Sequence, residues 1–83
     1  MFLARIRVTL KPTVNDPQGK TIANALERLS FDSVQSVRAG KYFEVEVNSS
    51  VESEAREQVA SMCEKLLSNP VIETFEFDLE SVG

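Results

Sequence analysis

The chain has 83 residues, 42% hydrophobic and 27% charged, with three glycines and three prolines. This is the composition of one small globular domain rather than a disordered chain; a domain of this size buries only about 60% of its unfolded surface, so self-association is a common remedy for a thin core. The lack of histidine removes the commonest general base and metal ligand, one cysteine cannot form an internal disulfide, and a net charge of −4 argues against a nucleic-acid partner.

No run approaches the ~20 apolar residues of a membrane span. The first residues already alternate as a strand, so no membrane contact and no signal peptide are expected, and the lone cysteine suits a cytoplasmic setting. Charge is unevenly spread. Residues 1–41 carry seven cations and three anions, net +4, while residues 42–83 carry two cations and ten anions, net −8.

In residues 2–11, Phe2, Ala4, Ile6, Val8 and Leu10 share one face, and Leu3, Arg5, Arg7, Thr9 and Lys11 share the other. That period predicts a strand with one face buried and one wet. Pro12 ends it. Asp16 can cap a helix whose first turn suits Pro17, and Ile22, Ala25, Leu26 and Leu29 carry helical spacing to about Ser30. Gly19 in that first turn costs about 1 kcal/mol of helix propensity against alanine. It marks either a close approach of another backbone or a neutral position near a helix end.

Residues 31–33 lead to an extended segment, Val34–Arg38. After Gly40, Phe43, Val45 and Val47 alternate with Glu44, Glu46 and Asn48 in a second one-sided strand. The join at Arg38-Ala39-Gly40-Lys41 reads two ways. A two-residue hairpin would place Ala39 where positive φ is needed; a bulge at Gly40 would make one long bent strand. Such a strand would overhang the sheet and offer unpaired backbone to a second copy. Ser49 with Glu52 has the spacing of a capping box. The helix that follows buries Ala55, Val59, Met62, Cys63, Leu66 and Leu67 on one stripe, and Glu52, Glu54 and Glu57 suit its dipole. Asn69-Pro70 stops it. In the final strand Val71, Phe75, Phe77 and Leu79 alternate with Thr74, Glu76 and Asp78.

The order β-α-β-(β)-α-β predicts one α+β domain over residues 1–83: a two-layer, ferredoxin-like sandwich with two helices on one face of an antiparallel sheet. With the first strand central, Arg5 and Arg7 lie between Glu44 and Glu46 on one side and Glu76 and Asp78 on the other. The charge asymmetry is then met within the sheet.

Cys63 sits on an apolar stripe with no histidine to activate it, which makes it a structural thiol. The carboxylates lack calcium-loop spacing, and Lys20 and Lys41 belong to no phosphate-binding loop. No catalytic, cofactor-binding or metal residue is expected. Arg38, Gly40, Lys41 and Tyr42 stand out instead: two cations, a glycine and the only tyrosine at a break in a core-driven strand. They are the candidate interface, with an ordinary solvated turn as the alternative.

Three segments carry a resemblance: Asp16-Pro17-Gln18-Gly19, then Val37-Arg38-Ala39-Gly40-Lys41-Tyr42-Phe43-Glu44, then Met62 to Glu73 (Met-Cys-Glu-Lys-Leu-Leu-Ser-Asn-Pro-Val-Ile-Glu). At this spacing, and over essentially the whole chain, they resemble the PurS family, the small subunit of bacterial and archaeal phosphoribosylformylglycinamidine synthase. The resemblance implies membership of a purine-biosynthetic ligase complex that uses glutamine and ATP to make formylglycinamidine ribonucleotide. It implies a glutaminase subunit that releases ammonia and a large synthetase subunit, with ATP and magnesium, that adds it. The small subunit would bind no cofactor, associate with itself as dimer or tetramer, bridge the other two and assist ammonia transfer. Two further readings stay open: a small-molecule-binding regulatory module, which glycine-rich strand–helix junctions would favour and for which only Gly19 qualifies, and an acylphosphatase-like small hydrolase, which needs an anion-cradling loop after the first strand, where Lys11–Asp16 offers proline rigidity but no arginine.

Overall fold

Strand β1 (Phe2–Leu10) lies between β2 (Gly40–Val47) and β3 (Glu73–Ser81) and is antiparallel to both, giving the order β2-β1-β3. The structure, a computed structural model, describes residues 1–83. Helix α1 (Pro17–Arg28) joins β1 to β2, and α2 (Glu52–Met62), extended by a π-helical turn over Cys63–Leu67, joins β2 to β3. The fold is α+β and ferredoxin-like, as the pattern predicts. The sheet has three strands: residues 34–39 join no ladder, so the optional extra strand does not form. Gly40 is the first residue of β2, so the join is neither a two-residue hairpin nor a bulge in one long strand.

Period-2 patterning places the core. Phe2, Ala4, Ile6 and Val8 of β1 are buried with Val47 against Ala55, Val59 and Cys63 of the α2 segment. Phe43, Val45, Phe75, Phe77 and Leu79 pack around them and are only half-buried. Arg56 of α2 lies over the Phe77 ring, 5.9 Å from its centroid, which adds a cation–π contact to the apolar packing.

The end of α2 departs from the expected stripe. Leu66 is 83% exposed, whereas Leu67 is half-buried and Ser68 is buried. The cause is the wide turn: the Ser68 amide reaches back five residues to the Cys63 carbonyl at 2.9 Å, and the Ser68 hydroxyl donates to the same oxygen at 2.8 Å. With an i→i+5 turn the residues below Cys63 on the core face are Leu67 and Ser68, and Leu66 rotates outward. At the other end the capping box is absent. Val51 is the N-cap residue, and the Ser49 hydroxyl instead bonds locally to Val51. Val71, expected on the strand, is 78% exposed in the turn before β3, where the Asn69 carbonyl accepts from Ile72 and Glu73.

α2 covers the sheet; α1 barely touches it. The only buried residue of α1 is Gly19, while Leu29 and Phe31 just beyond its end are 67% and 55% exposed. The molecule is accordingly flat and long, 50 × 29 × 14 Å, with a radius of gyration of 16.2 Å. A compact domain of this length has about 12 Å. In the single chain, the two-layer part of the sandwich is made by α2 alone.

Candidate subunit interface

The corner where β1 ends, α1 begins and β2 enters is held by polar groups. Asp16 caps α1, as Asp-Pro predicts, but its carboxylate does more than cap. Oδ1 accepts from the Gly19 amide at 3.0 Å, and Oδ2 accepts from the Ala39 amide at 2.9 Å. These two amides, aided by the nearby Arg38 charge, hold the Asp16 carboxyl below its ordinary range. Gly19 answers its own question: a Cβ there would collide with the Val37 carbonyl and the Asp16 carboxylate. The close backbone approach is real.

Arg38 and Lys41 are spent within the chain. The Arg38 guanidinium donates to the carbonyls of Leu10 and Lys11 at the exit of β1. The Lys41 ammonium lies 3.3 Å from Glu73 at the start of β3. Gly40 sits against β1, where a Cβ would come within 2.6 Å of the Val8 carbonyl and 2.9 Å of Thr9 Cγ2. Three of the four candidate residues thus meet at one corner and tie the three strands together, beside the Asp16 bridge to α1. Their role in the monomer is larger than the sequence suggests.

Tyr42, the fourth, is 55% exposed on the outer face of the sheet, where its hydroxyl donates to Glu44 at 3.0 Å. Partial desolvation and that carboxylate raise its pKa. The register puts Arg5 between Glu44 and Asp78, and Arg7 between Tyr42 and Glu76. The ion pairs, however, form diagonally to β3: Arg5 to Glu80 at 2.6 Å and Arg7 to Asp78 at 3.2 Å. Side chains two residues along the neighbouring strand remain within reach of a long guanidinium stem. The hydrogen bond and charge of Glu80 raise the Arg5 pKa.

Beside the corner lies an open cleft of about 490 Å³, lined among others by Thr13, Asp16, Lys20 and Arg38. Cys63 is fully buried, and burial, with Glu64 nearby, pushes its thiol pKa up, the opposite of an activated nucleophile. No group of three or more metal-ligating side chains is placed to hold an ion, and no helix is long and apolar enough to cross a membrane.

Asp16 as a bridge, Glu73 and Glu80 are the residues that sequence reasoning missed. The Asp-Pro-x-Gly run signals the cap, but nothing local announces the second oxygen's partner 23 residues on.

The sequence model of PurS, described as phosphoribosylformylglycinamidine (FGAM) synthase, matches residues 3–81. The chain belongs to the PurS family. It is 41% identical over 81 residues to the PurS subunit of phosphoribosylformylglycinamidine synthase from Synechocystis sp., covering 98% of this chain and 81% of that one. The crystal structure of PurS from Methanocaldococcus jannaschii superposes with a TM-score of 0.89 at 36% identity, with 100% of each chain covered. A chain in the structure of PurLQS from Thermotoga maritima matches with a TM-score of 0.88 at 35% identity, covering 95% of this chain and 96% of that one. This PurS chain is therefore a subunit of phosphoribosylformylglycinamidine synthase, a ligase of purine biosynthesis.

Proposed function

We propose that this chain is the non-catalytic connector of its synthase, holding a glutaminase subunit and an ATP- and magnesium-dependent synthetase subunit in register so that ammonia passes between them in the cytoplasm. The observation that carries the reading is the uncovered apolar surface of an otherwise well-folded chain. Ile22, Leu29, Phe31 and Val34 line the arm formed by α1 and the residues after it, all exposed, while Phe43, Phe75 and Phe77 on the sheet are only half-covered by α2. Neither surface is satisfied in one chain, and each is the kind of face the other covers. Self-association through α1 fits this pairing; Arg38, Gly40 and Lys41 at the root of α1 border the assembled unit, with Tyr42 beside them on the outer face of the sheet.

A connector contributes by position. Holding two sites together keeps a diffusible intermediate from water without supplying any reacting group. The matching chain within PurLQS of Thermotoga maritima supports assembly with larger subunits. The acylphosphatase-like alternative gains no anion-binding arginine from the fold: Arg38 reaches the loop after β1, but it is engaged by the Leu10 and Lys11 carbonyls.

Reconstitution with the glutaminase and synthetase subunits of the same organism tests the reading. Omitting this chain should abolish glutamine-dependent synthesis while ammonia-dependent synthesis by the large subunit persists. Equal glutamine-dependent rates with and without it would refute the connector role.

A further inference from the structure

We propose that Asp16 is a positioning residue, the pin of a rigid elbow that sets the direction in which α1 leaves the sheet. The inference rests on the reading of α1 as the assembling arm and goes beyond it by naming what aims the arm.

The argument is one of attachment. α1 has almost no apolar contact with the body of its own chain, so its direction is set at its root. There, one carboxylate joins the first turn of the helix, through Gly19, to the entry of β2, through Ala39. Gly19 lets the helix press directly on the Val37 carbonyl, a contact that any side chain would prise open. Arg38 then locks the same segment to the exit of β1 through the Leu10 and Lys11 carbonyls. The three chain segments that meet at the elbow are thereby fixed to one another without using the core. An arm held in its binding direction before encounter loses less freedom on association.

The chemistry of the bridge supplies a discriminating substitution. Asn is as good a helix cap as Asp. In Asp16→Asn, Oδ1 still accepts from Gly19, but the second oxygen is replaced by an NH₂ group that cannot accept from Ala39. A residue that only capped the helix would be fully replaced by Asn; a bridging residue would not.

Spin labels at Arg28→Cys, near the end of α1, and Glu46→Cys, on β2, read the arm's direction by dipolar distance measurement in chain diluted with unlabelled protein. Buried Cys63 stays unlabelled. In Asp16→Asn the helical content should be unchanged, the distance distribution should broaden, and self-association measured by sedimentation should weaken about tenfold, as expected if the competent orientation falls to roughly a third of the population in each of the two associating chains. Gly19→Ala should shift the distance and weaken association in the same way. Parent-like distances and association in Asp16→Asn overturn the elbow. The double variant Leu29→Asp, Phe31→Asp separates this from the underlying reading. If it abolishes association while Asp16→Asn does not alter it, the elbow alone fails. If it too associates normally, the arm reading fails and takes the elbow with it.

Discussion

α1 and α2 are similar in length and both amphipathic, yet they have opposite fates. α2 buries Ala55 and Val59, with Cys63 in the turn beyond them, beneath the sheet's inner face, whereas α1 buries only a glycine. α1 is the more strongly amphipathic of the two, so its exposure does not come from a weak pattern. Apolar periodicity reports that a face will be covered, and says nothing about whether the cover comes from the same chain. In this protein the difference marks the boundary between what one chain can satisfy and what assembly must supply.

The sharpest way to test that boundary is to truncate one residue on each side. Ile6, fully buried beneath α2, should cost about 2–5 kcal/mol as Ile6→Ala in urea unfolding. That loss should not depend on protein concentration. Leu29→Ala should act only through association, so its effect should grow with protein concentration and vanish on dilution. A Leu29→Ala loss that ignores concentration would place α1 inside the monomer's own core.

The π-helical turn draws the same line within a single element. Leu67→Ala, half-buried, should cost about 1–2.5 kcal/mol, roughly half a full core truncation. Leu66→Ala next to it should stay within about 0.5 kcal/mol in the isolated chain. Equal effects would mean that the segment is ordinary α-helix. Cys63→Ala in the same segment should cost about 1 kcal/mol for the lost buried sulfur and leave glutamine-dependent synthesis of the reconstituted complex intact. Lost activity with unchanged folding would give the thiol a role beyond packing.

The smallest effect is confined to acid. The Asp16 pKa is lowered in the folded chain by the Gly19 and Ala39 amides, from an ordinary value of 3.8. A depressed carboxylate stabilises the fold fully above that ordinary value and loses its contribution as pH falls through the folded one. The attachment of α1 should therefore be constant near neutrality and loosen below about pH 4, seen as reduced amide-exchange protection at Gly19 and Ala39 relative to the intrinsic rate at each pH. Asp16→Ala should remove this part of the acid dependence; an unchanged profile would show that the carboxylate bonds contribute nothing.

Much of this was legible in the chain. The alternation in residues 2–10 and 43–47 and at Phe75, Phe77 and Leu79 is enforced by one buried face, and such patterns survive any detail of packing. The order of elements followed from it, and the central place of β1 from the ferredoxin-like arrangement that this order suggests. What escaped depended on partners distant in sequence. Val34–Arg38 has the residues of a strand, but Asp16 and Gly19 claim the backbone at Val37 and Ala39. Leu66 has the right helical offset, but Ser68 bonds twice to the Cys63 carbonyl and widens the turn beneath it. Arg38 and Lys41 were legible as unusual cations at a break. Their bonds to Leu10, Lys11 and Glu73 were not, because each joins segments that only the folded sheet brings together.

The central position of β1 also bears on how the chain is made. Phe2 pairs with Val47 on one side and Ser81 on the other, so both ladders of the first strand wait for residues synthesised much later. Contact order is high for so small a domain, and folding is correspondingly slow beside that of helical bundles. While a nascent chain extends from the ribosome, Phe2–Leu10 is an apolar strand with two open edges. Arg5 and Arg7, which end as half of a surface ion-pair lattice, interrupt that apolar run throughout the wait and act as gatekeepers against strand-to-strand aggregation.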